Sequence, residues 1–237
     1  MLLLLVFVVF VVIIYNICLK LLCSPNVKEM YKINELDLES GDLVLVSGHQ
    51  RFTKTQYEFN NSIRLFGGGG EWNHVALIVK INGEPYVYDS SPYYENWLKY
   101  EITSNKKENS GYIRLSNYVD ALDGYLGIRK LKSKYITDRS ILLDITKHHN
   151  ENMEFSLNLV NFLRFSKEHI KETKYKYSCC EAIASIYYDA GLYYSKFHRY
   201  MMIGPFVDPH CELFDDVFHI EPGPKLNKNI AKYFENK

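Results

Sequence analysis

The chain has 237 residues, and its 28 basic and 28 acidic side chains give a formal net charge of zero. This balance argues against a nucleic-acid-binding protein held by charge, which would carry a basic excess or a basic stripe. Apolar residues make up 47% and aromatic residues 15% of the chain, which excludes a disordered or low-complexity protein. Residues 24–237 are long enough for one globular domain with short extensions.

Residues 1–19 form an apolar segment in which Asn16 is the only clearly polar side chain. A helix of this length reaches roughly 28 Å, close to the thickness of a bilayer's hydrocarbon core. The segment has no basic residue before Lys20 and no small-residue cleavage site, so we expect an uncleaved single-pass membrane anchor over 1–23. A secretory signal is the alternative. Lysines follow the segment and none precedes it, which places the remaining domain in the cytoplasm.

Five apolar runs bounded by turn residues predict β-strands after a polar connector over 24–37. These strands are predicted at 41–48, 72–81, 84–91, 112–119 and 125–131. Asn82-Gly83 separates the second run from the third and is a strong signal for a β-hairpin with a two-residue loop. The globular domain is predicted to span 38–220, followed by a tail over 221–237.

Helical periodicity predicts three helices, at 138–149, 153–171 and 179–190. Ser178 and Glu181 have the spacing of a capping box at the start of the last helix, and Gly191 suits its end. Cys179 therefore falls at the first helical position, where unpaired amide groups and the helix dipole favour a thiolate. Cys179 is a candidate nucleophile, and a small buried helix residue is the alternative interpretation.

The predicted hairpin brings a histidine close to a carboxylate. If Asn82 and Gly83 are the two loop residues, His74 and Asp89 lie on one sheet face as diagonal neighbours, about 7–8 Å apart. A histidine in an apolar strand needs a polar partner, and Asp89 can orient the ring so that it serves a thiol. A purely structural His–Asp pair is the alternative. Pro85 lacks an N–H donor and could shift the register by one residue, which would move Asp89 to the other face.

The remaining cysteines and histidines show no pattern of a disulfide framework or a zinc site, and we predict no metal and no cofactor. Cys18 and Cys23 could carry acyl chains beside a membrane, although small apolar residues are the simpler interpretation. His148 and His149 are interpreted as part of a solvated helix face.

The order of these elements resembles the circularly permuted papain-like thiol hydrolases. That group includes bacterial envelope amidase-like (NlpC/P60) enzymes, a poxvirus branch and, more distantly, lecithin:retinol acyltransferase-like enzymes. The motifs that carry the resemblance are Gly41-Asp42-Leu43-Val44, Asn73-His74-Val75-Ala76-Leu77-Ile78-Val79, Val87-Tyr88-Asp89 and Tyr177-Ser178-Cys179-Cys180-Glu181-Ala182-Ile183. The resemblance covers 38–220 and implies an α+β permuted papain-like fold, with an antiparallel sheet packed on helices, next to the N-terminal transmembrane helix.

The resemblance also implies a catalytic triad, with Cys179 as nucleophile, His74 as base and Asp89 as the residue that orients it. Cys180 stands where the family usually has a small residue and is a rival nucleophile, and His49 is a rival base. We expect a cysteine hydrolase or acyltransferase that attacks an amide, ester or thioester bond, and an anchor over residues 1–19 would suit a lipid-linked substrate. The loop Gly67–Gly70 could act as a lid. A catalytically silent membrane-tethered binding module and a structural scaffold are the alternatives.

Overall fold

The fold is an eight-stranded sheet with helices on both faces. A computed structural model of the chain describes residues 10–11, 13–14, 29–48, 70–90, 101–104, 107–122, 124–152, 154–155, 176–192, 203–221 and 223. The strands are β1 (Met30–Tyr31), β2 (Leu43–Gly48), β3 (His74–Ile81), β4 (Glu84–Ser90), β5 (Ile102–Ser104), β6 (Lys107–Arg114), β7 (Gly124–Leu131), β8 (Glu154–Phe155), β9 (Lys176–Tyr177) and β10 (Phe214–Ile220). The helices are α1 (Leu115–Ala121), α2 (Ile141–Asn152), α3 (Cys179–Asp189) and α4 (Gly204–Val207), with short 3₁₀ turns at Ile33–Glu35 and Ser133–Tyr135.

The strands of the main sheet lie in the order β1-β10-β7-β2-β3-β4-β6-β5. Strand β1 pairs with β10 in parallel, and the other neighbours in this sheet pair antiparallel. Strands β8 and β9 form a separate parallel pair. The main sheet is therefore mixed.

Both faces of the sheet are buried, because successive strand side chains alternate between two hydrophobic cores. One core packs against α2 and α3 and includes Leu43, Leu45, Val75, Leu77 and Val79. The opposite core packs against α1 and includes Val44, Val46, Ala76, Ile78 and Val87. This double burial explains why β2 and β3 are continuous apolar runs in the sequence.

The β3–β4 hairpin has the predicted register. Its pairs run from Ile81 with Glu84 to Leu77 with Tyr88. Asn82 and Gly83 have φ values of 53° and 83°, and positive φ at both loop positions matches the two-residue turn that joins twisted strands. Pro85 pairs with Lys80 and does not shift the register.

The turn before β2 is held by a buried carboxylate, a role that the sequence analysis did not assign. Asp42 is 1% exposed and accepts hydrogen bonds from the main-chain N–H groups of Glu39 and Leu131, both at 2.9 Å. The Arg139 guanidinium donates to Asp42 at 3.1 Å and also to the Ser40 and Leu131 carbonyl oxygens. These contacts join β2, β7 and the start of α2.

The prediction of a wholly antiparallel sheet is wrong, and the predicted transmembrane helix is not found among the described residues. The parallel pairing of β1 makes the sheet mixed, and this two-residue strand is too short to leave a periodic signal in the connector. None of the helices among the described residues is long and apolar enough to cross a membrane. Of the predicted anchor, residues 10, 11, 13 and 14 are described and helical, and the other positions, with Cys18 and Cys23, lie outside the described residues.

Two other predicted elements differ from the structure. The strand predicted at 112–119 divides into the end of β6 and helix α1, because Leu115, Tyr118 and Val119 have helical spacing and face the core. Where a helix was predicted at 153–171, Glu154–Phe155 forms β8, and 156–171 lies outside the described residues. Helices α2 and α3 lie within three residues of their predicted bounds.

We predict that Gly41→Ala destabilises the protein more than Gly83→Ala. Both glycines have positive φ, 95° and 83°, so alanine costs about 1–2 kcal/mol of backbone strain at either position. A Cβ at position 41 would also lie 2.7 Å from side-chain atoms of buried Leu131 and Leu142, whereas position 83 has open space. Overpacking should therefore add about 1–3 kcal/mol to the loss in unfolding free energy at position 41, measured by urea denaturation. Equal losses in the two variants would contradict this account of the turn.

Candidate functional site

Helix α3 begins and ends as its sequence predicts. The Ser178 side chain accepts a hydrogen bond from the Glu181 N–H at 3.4 Å, and the Glu181 carboxylate accepts one from the Ser178 N–H at 2.8 Å. At the other end, Gly191 has a φ of 72°, and the Gly191 and Leu192 N–H groups close a Schellman motif. The capping box confirms that Cys179 is the first helical residue.

His74 and Asp89 meet at one end of the sheet, as the hairpin register predicts. His74 is the first residue of β3, and its Nε2 lies 2.9 Å from Asp89 Oδ1. Both residues are buried, with His74 7% and Asp89 0% exposed. The contact leaves the second ring nitrogen of His74, Nδ1, to serve another group.

Tyr118 completes the surroundings of the carboxylate. Its hydroxyl donates to Asp89 Oδ2 at 2.7 Å, and Tyr118 is fully buried. This role was not predicted, because the apolar run at 112–119 favoured a strand, whereas Tyr118 lies in helix α1, which directs it toward β4. The sequence carries one signal that predicts this helix, because the apolar residues at 115, 118 and 119 have helical spacing.

Cys179 joins this group, so the three predicted site residues lie together. Its sulfur hydrogen-bonds to the His74 side chain and to the main-chain N–H of Val75. Its other close neighbour is Cys180, with the two sulfurs 3.9 Å apart. Cys179 is partly exposed, whereas Cys180 is buried in the core beneath the helix. Cys179 is therefore the more accessible of the two cysteines.

The electrostatics of the site favour a thiolate beside an imidazolium. The hydrogen bond from Cys180 and the charge and hydrogen bond of His74 lower the pKa of Cys179 well below its ordinary value, against the opposing effect of burial. Burial alone would lower the pKa of His74, but the charges of Asp89 and Cys179 and its hydrogen bonds with both raise it to about 10. A negative charge on one group and a positive charge on the other therefore coexist at neutral pH.

Cys180 lies on the core side of α3 and stabilises the Cys179 thiolate. Its own pKa is raised, because its S–H group donates to the Cys179 sulfur and because it is buried. Burial also raises the pKa of the Glu181 carboxyl in the same turn. His74 holds the proton that Cys179 gives up, and Cys180 keeps its own proton and donates it to the Cys179 sulfur in a hydrogen bond.

Several other sequence predictions concern residues around the site. His49 and residues 67–69 of the predicted lid lie outside the described residues. The interpretation of His148 and His149 as a solvated face is wrong for His149, which is buried and bonds Asp189 at 2.6 Å where α2 packs against α3. In the described part of the chain, no group of three or more His, Cys, Asp or Glu side chains is placed to hold a metal ion.

Comparisons with known proteins give few relatives. No protein-family model matches the chain, and no curated protein matches it. Among solved structures, it is similar to the metalloprotein yiiX of Escherichia coli O157:H7, described as DUF1105, with a TM-score of 0.41 and 12% identity. That likeness covers 81% of this chain and 92% of the other. It is too weak to carry an argument about chemistry.

The predicted antiparallel sheet of a circularly permuted papain-like fold is corrected to a mixed sheet in an α+β fold. Four short motifs specify a turn, two strands and a helix start, but they do not determine how the elements between them connect.

We predict that Asp89→Asn shifts the pH dependence of Cys179 alkylation. Loss of the carboxylate removes a charge that stabilises the His74 cation, so the pKa of His74 falls and that of Cys179 rises. The pH of half-maximal reaction with iodoacetamide should increase by about one unit or more, measured on the Cys179 peptide by mass spectrometry.

Asp189→Asn is the matched control, because Asp189 also bonds a histidine and lies at the far end of the same helix. The Cys179 profile should be unchanged in this variant. An equal shift in both variants, or none in Asp89→Asn, would show that Asp89 does not support the ion pair.

Proposed function

We propose that this protein is a cysteine-dependent hydrolase or acyltransferase that attacks an amide, ester or thioester carbonyl. The observation that carries the proposal is the contact of a partly exposed Cys179, at a helix N-terminus, with a buried His74 that is itself bonded to Asp89. A low thiol pKa at a helix start, with a histidine whose ring is fixed by a carboxylate, is the arrangement that activates a cysteine nucleophile.

The first half of the reaction forms an acyl-enzyme. The Cys179 thiolate attacks the carbonyl carbon, a C–S bond forms, and the carbonyl electron pair moves onto oxygen. The main-chain N–H of Cys179, which has no acceptor within the helix, is placed to donate to this oxyanion. The oxyanion then re-forms the carbonyl as the bond to the leaving group breaks, and the electron pair of that bond takes a proton from His74 Nδ1.

The second half releases the acyl group. His74, now neutral, takes a proton from water or from an acceptor amine at Nδ1, and that molecule attacks the acyl carbon. The C–S bond breaks and its electron pair returns to sulfur, which restores the thiolate and the imidazolium. Asp89 keeps Nε2 engaged through both halves, so the ring presents the same nitrogen to each reactant.

The chemistry of the site is compatible with both water and an amine as the final acceptor, so hydrolysis and acyl transfer belong to the same proposal. Contact with a membrane through residues 1–19, and with it a lipid-linked substrate, stays a prediction of the sequence. It is separate from the mechanism, whose three proposed catalytic residues come from β3, β4 and α3.

Labelling with an acyl-donor probe tests the nucleophile. We expect the full chain, incubated with thioester and peptide-amide panels, to form an acyl adduct detectable by intact-mass spectrometry. Cys179→Ala should abolish the adduct, because it removes the thiolate that His74 and Cys180 stabilise.

Cys211→Ala is the control, since Cys211 is also partly exposed but lies outside the site. It should label as strongly as the wild type. Undiminished labelling of Cys179→Ala, with the adduct on another residue, would contradict the proposal.

A further inference from the structure

We propose that Tyr118 is a positioning residue of this site, whose hydroxyl fixes the Asp89 carboxylate so that it orients His74. The inference rests on the proposed function and extends it beyond Cys179, His74 and Asp89. It identifies a fourth member, from an element that contributes no reacting atom.

Each oxygen of the Asp89 carboxylate has its own donor. Oδ1 lies 2.9 Å from His74 Nε2, and Oδ2 accepts from the Tyr118 hydroxyl at 2.7 Å. Asp89 and Tyr118 are both fully buried, so bulk water does not replace either donor. A carboxylate with only one donor could turn about its terminal torsion, which is broad and soft. The Tyr118 hydrogen bond removes that freedom.

Tyr118 acts from outside the hairpin. His74 and Asp89 lie on adjacent strands, whereas Tyr118 belongs to α1, which packs on the opposite-face core between Leu115 and Val119. The aromatic ring is anchored in that core, and its hydroxyl reaches β4. Through this hydrogen bond, helix α1 fixes the orientation of the Asp89 carboxylate relative to the β3–β4 hairpin.

The Tyr118 hydroxyl and the His74 ring are the two donors to the Asp89 carboxylate, so Tyr118 acts on the group that stabilises the His74 cation. The other titratable groups close to the contact are His74 on β3, Tyr88 on β4 and, beyond His74, Cys179 on α3. The pKa of Tyr88 is raised by burial, so it stays neutral and does not compensate the Asp89 charge.

The test uses Tyr118→Phe in the full chain. Phenylalanine fills the same apolar space and removes only the hydroxyl, so the variant should fold. Without the second donor, Asp89 stabilises the His74 cation less. The His74 cation in turn stabilises the Cys179 thiolate less. The pH of half-maximal Cys179 alkylation by iodoacetamide should rise by about half to one unit, the size expected for one buried hydrogen bond.

Tyr187→Phe is the matched control. Tyr187 is fully buried on α3, and its hydroxyl donates to the Gly41 carbonyl at 2.8 Å, away from the catalytic sulfur. This variant also loses one buried hydrogen bond, so its stability should fall while its Cys179 pH profile stays that of the wild type. A structural role for Tyr118 would give the same result as this control.

A double variant tests whether Tyr118 acts through Asp89 or independently of it. Because Tyr118 acts through Asp89, Asp89→Asn combined with Tyr118→Phe should shift the profile no further than Asp89→Asn alone. A wild-type profile in Tyr118→Phe, or additive shifts in the double variant, would overturn this role. If wild-type Cys179 itself reacts as an ordinary thiol of pKa about 8.5, the proposed function fails, and the role of Tyr118 fails with it.

Discussion

The register of the β3–β4 hairpin is the constraint on which the candidate site depends. Two residues with positive φ, Asn82 and Gly83, close the loop and leave no freedom in how the strands pair. A shift of one residue would turn Asp89 to the other face and leave a buried histidine with no carboxylate. The short turn, eight residues from His74, therefore determines whether the imidazole can carry a charge at all.

The second requirement is that two unlike elements meet at one end of the sheet. Strand β3 brings His74, and helix α3 brings Cys179 at its positive end. Neither group would ionise readily alone, because burial disfavours both the cation and the thiolate. The His74 cation is stabilised first by Asp89 and then by Cys179, and the Cys179 thiolate is stabilised first by the Cys180 hydrogen bond and then by His74, so these groups ionise as a coupled set.

Local signals in the sequence were sufficient to predict those parts of the site whose structure depends on residues close together in the chain. The Asn-Gly turn gave the hairpin register, and Ser178 with Glu181 gave the start of α3. Features that depend on distant segments were not predictable in this way. The parallel pairing of β1 with β10, the Asp42–Arg139 contact and the burial of His149 each join parts of the chain that are far apart in sequence. Tyr118 was missed for a related reason, because an apolar stretch after a strand fits a helix or a continued strand until its packing is known.

The central claim is that Cys179 and His74 form a thiolate–imidazolium pair, and ¹⁵N NMR of the histidine side chains measures it most directly. In the ¹⁵N-histidine-labelled full chain, His74 should show two protonated ring nitrogens from neutral pH up to about pH 10. In Cys179→Ala, its titration should move to lower pH, because the negative partner is lost. A neutral His74 ring at pH 7 in the wild type, or a titration that Cys179→Ala leaves unchanged, would contradict the account.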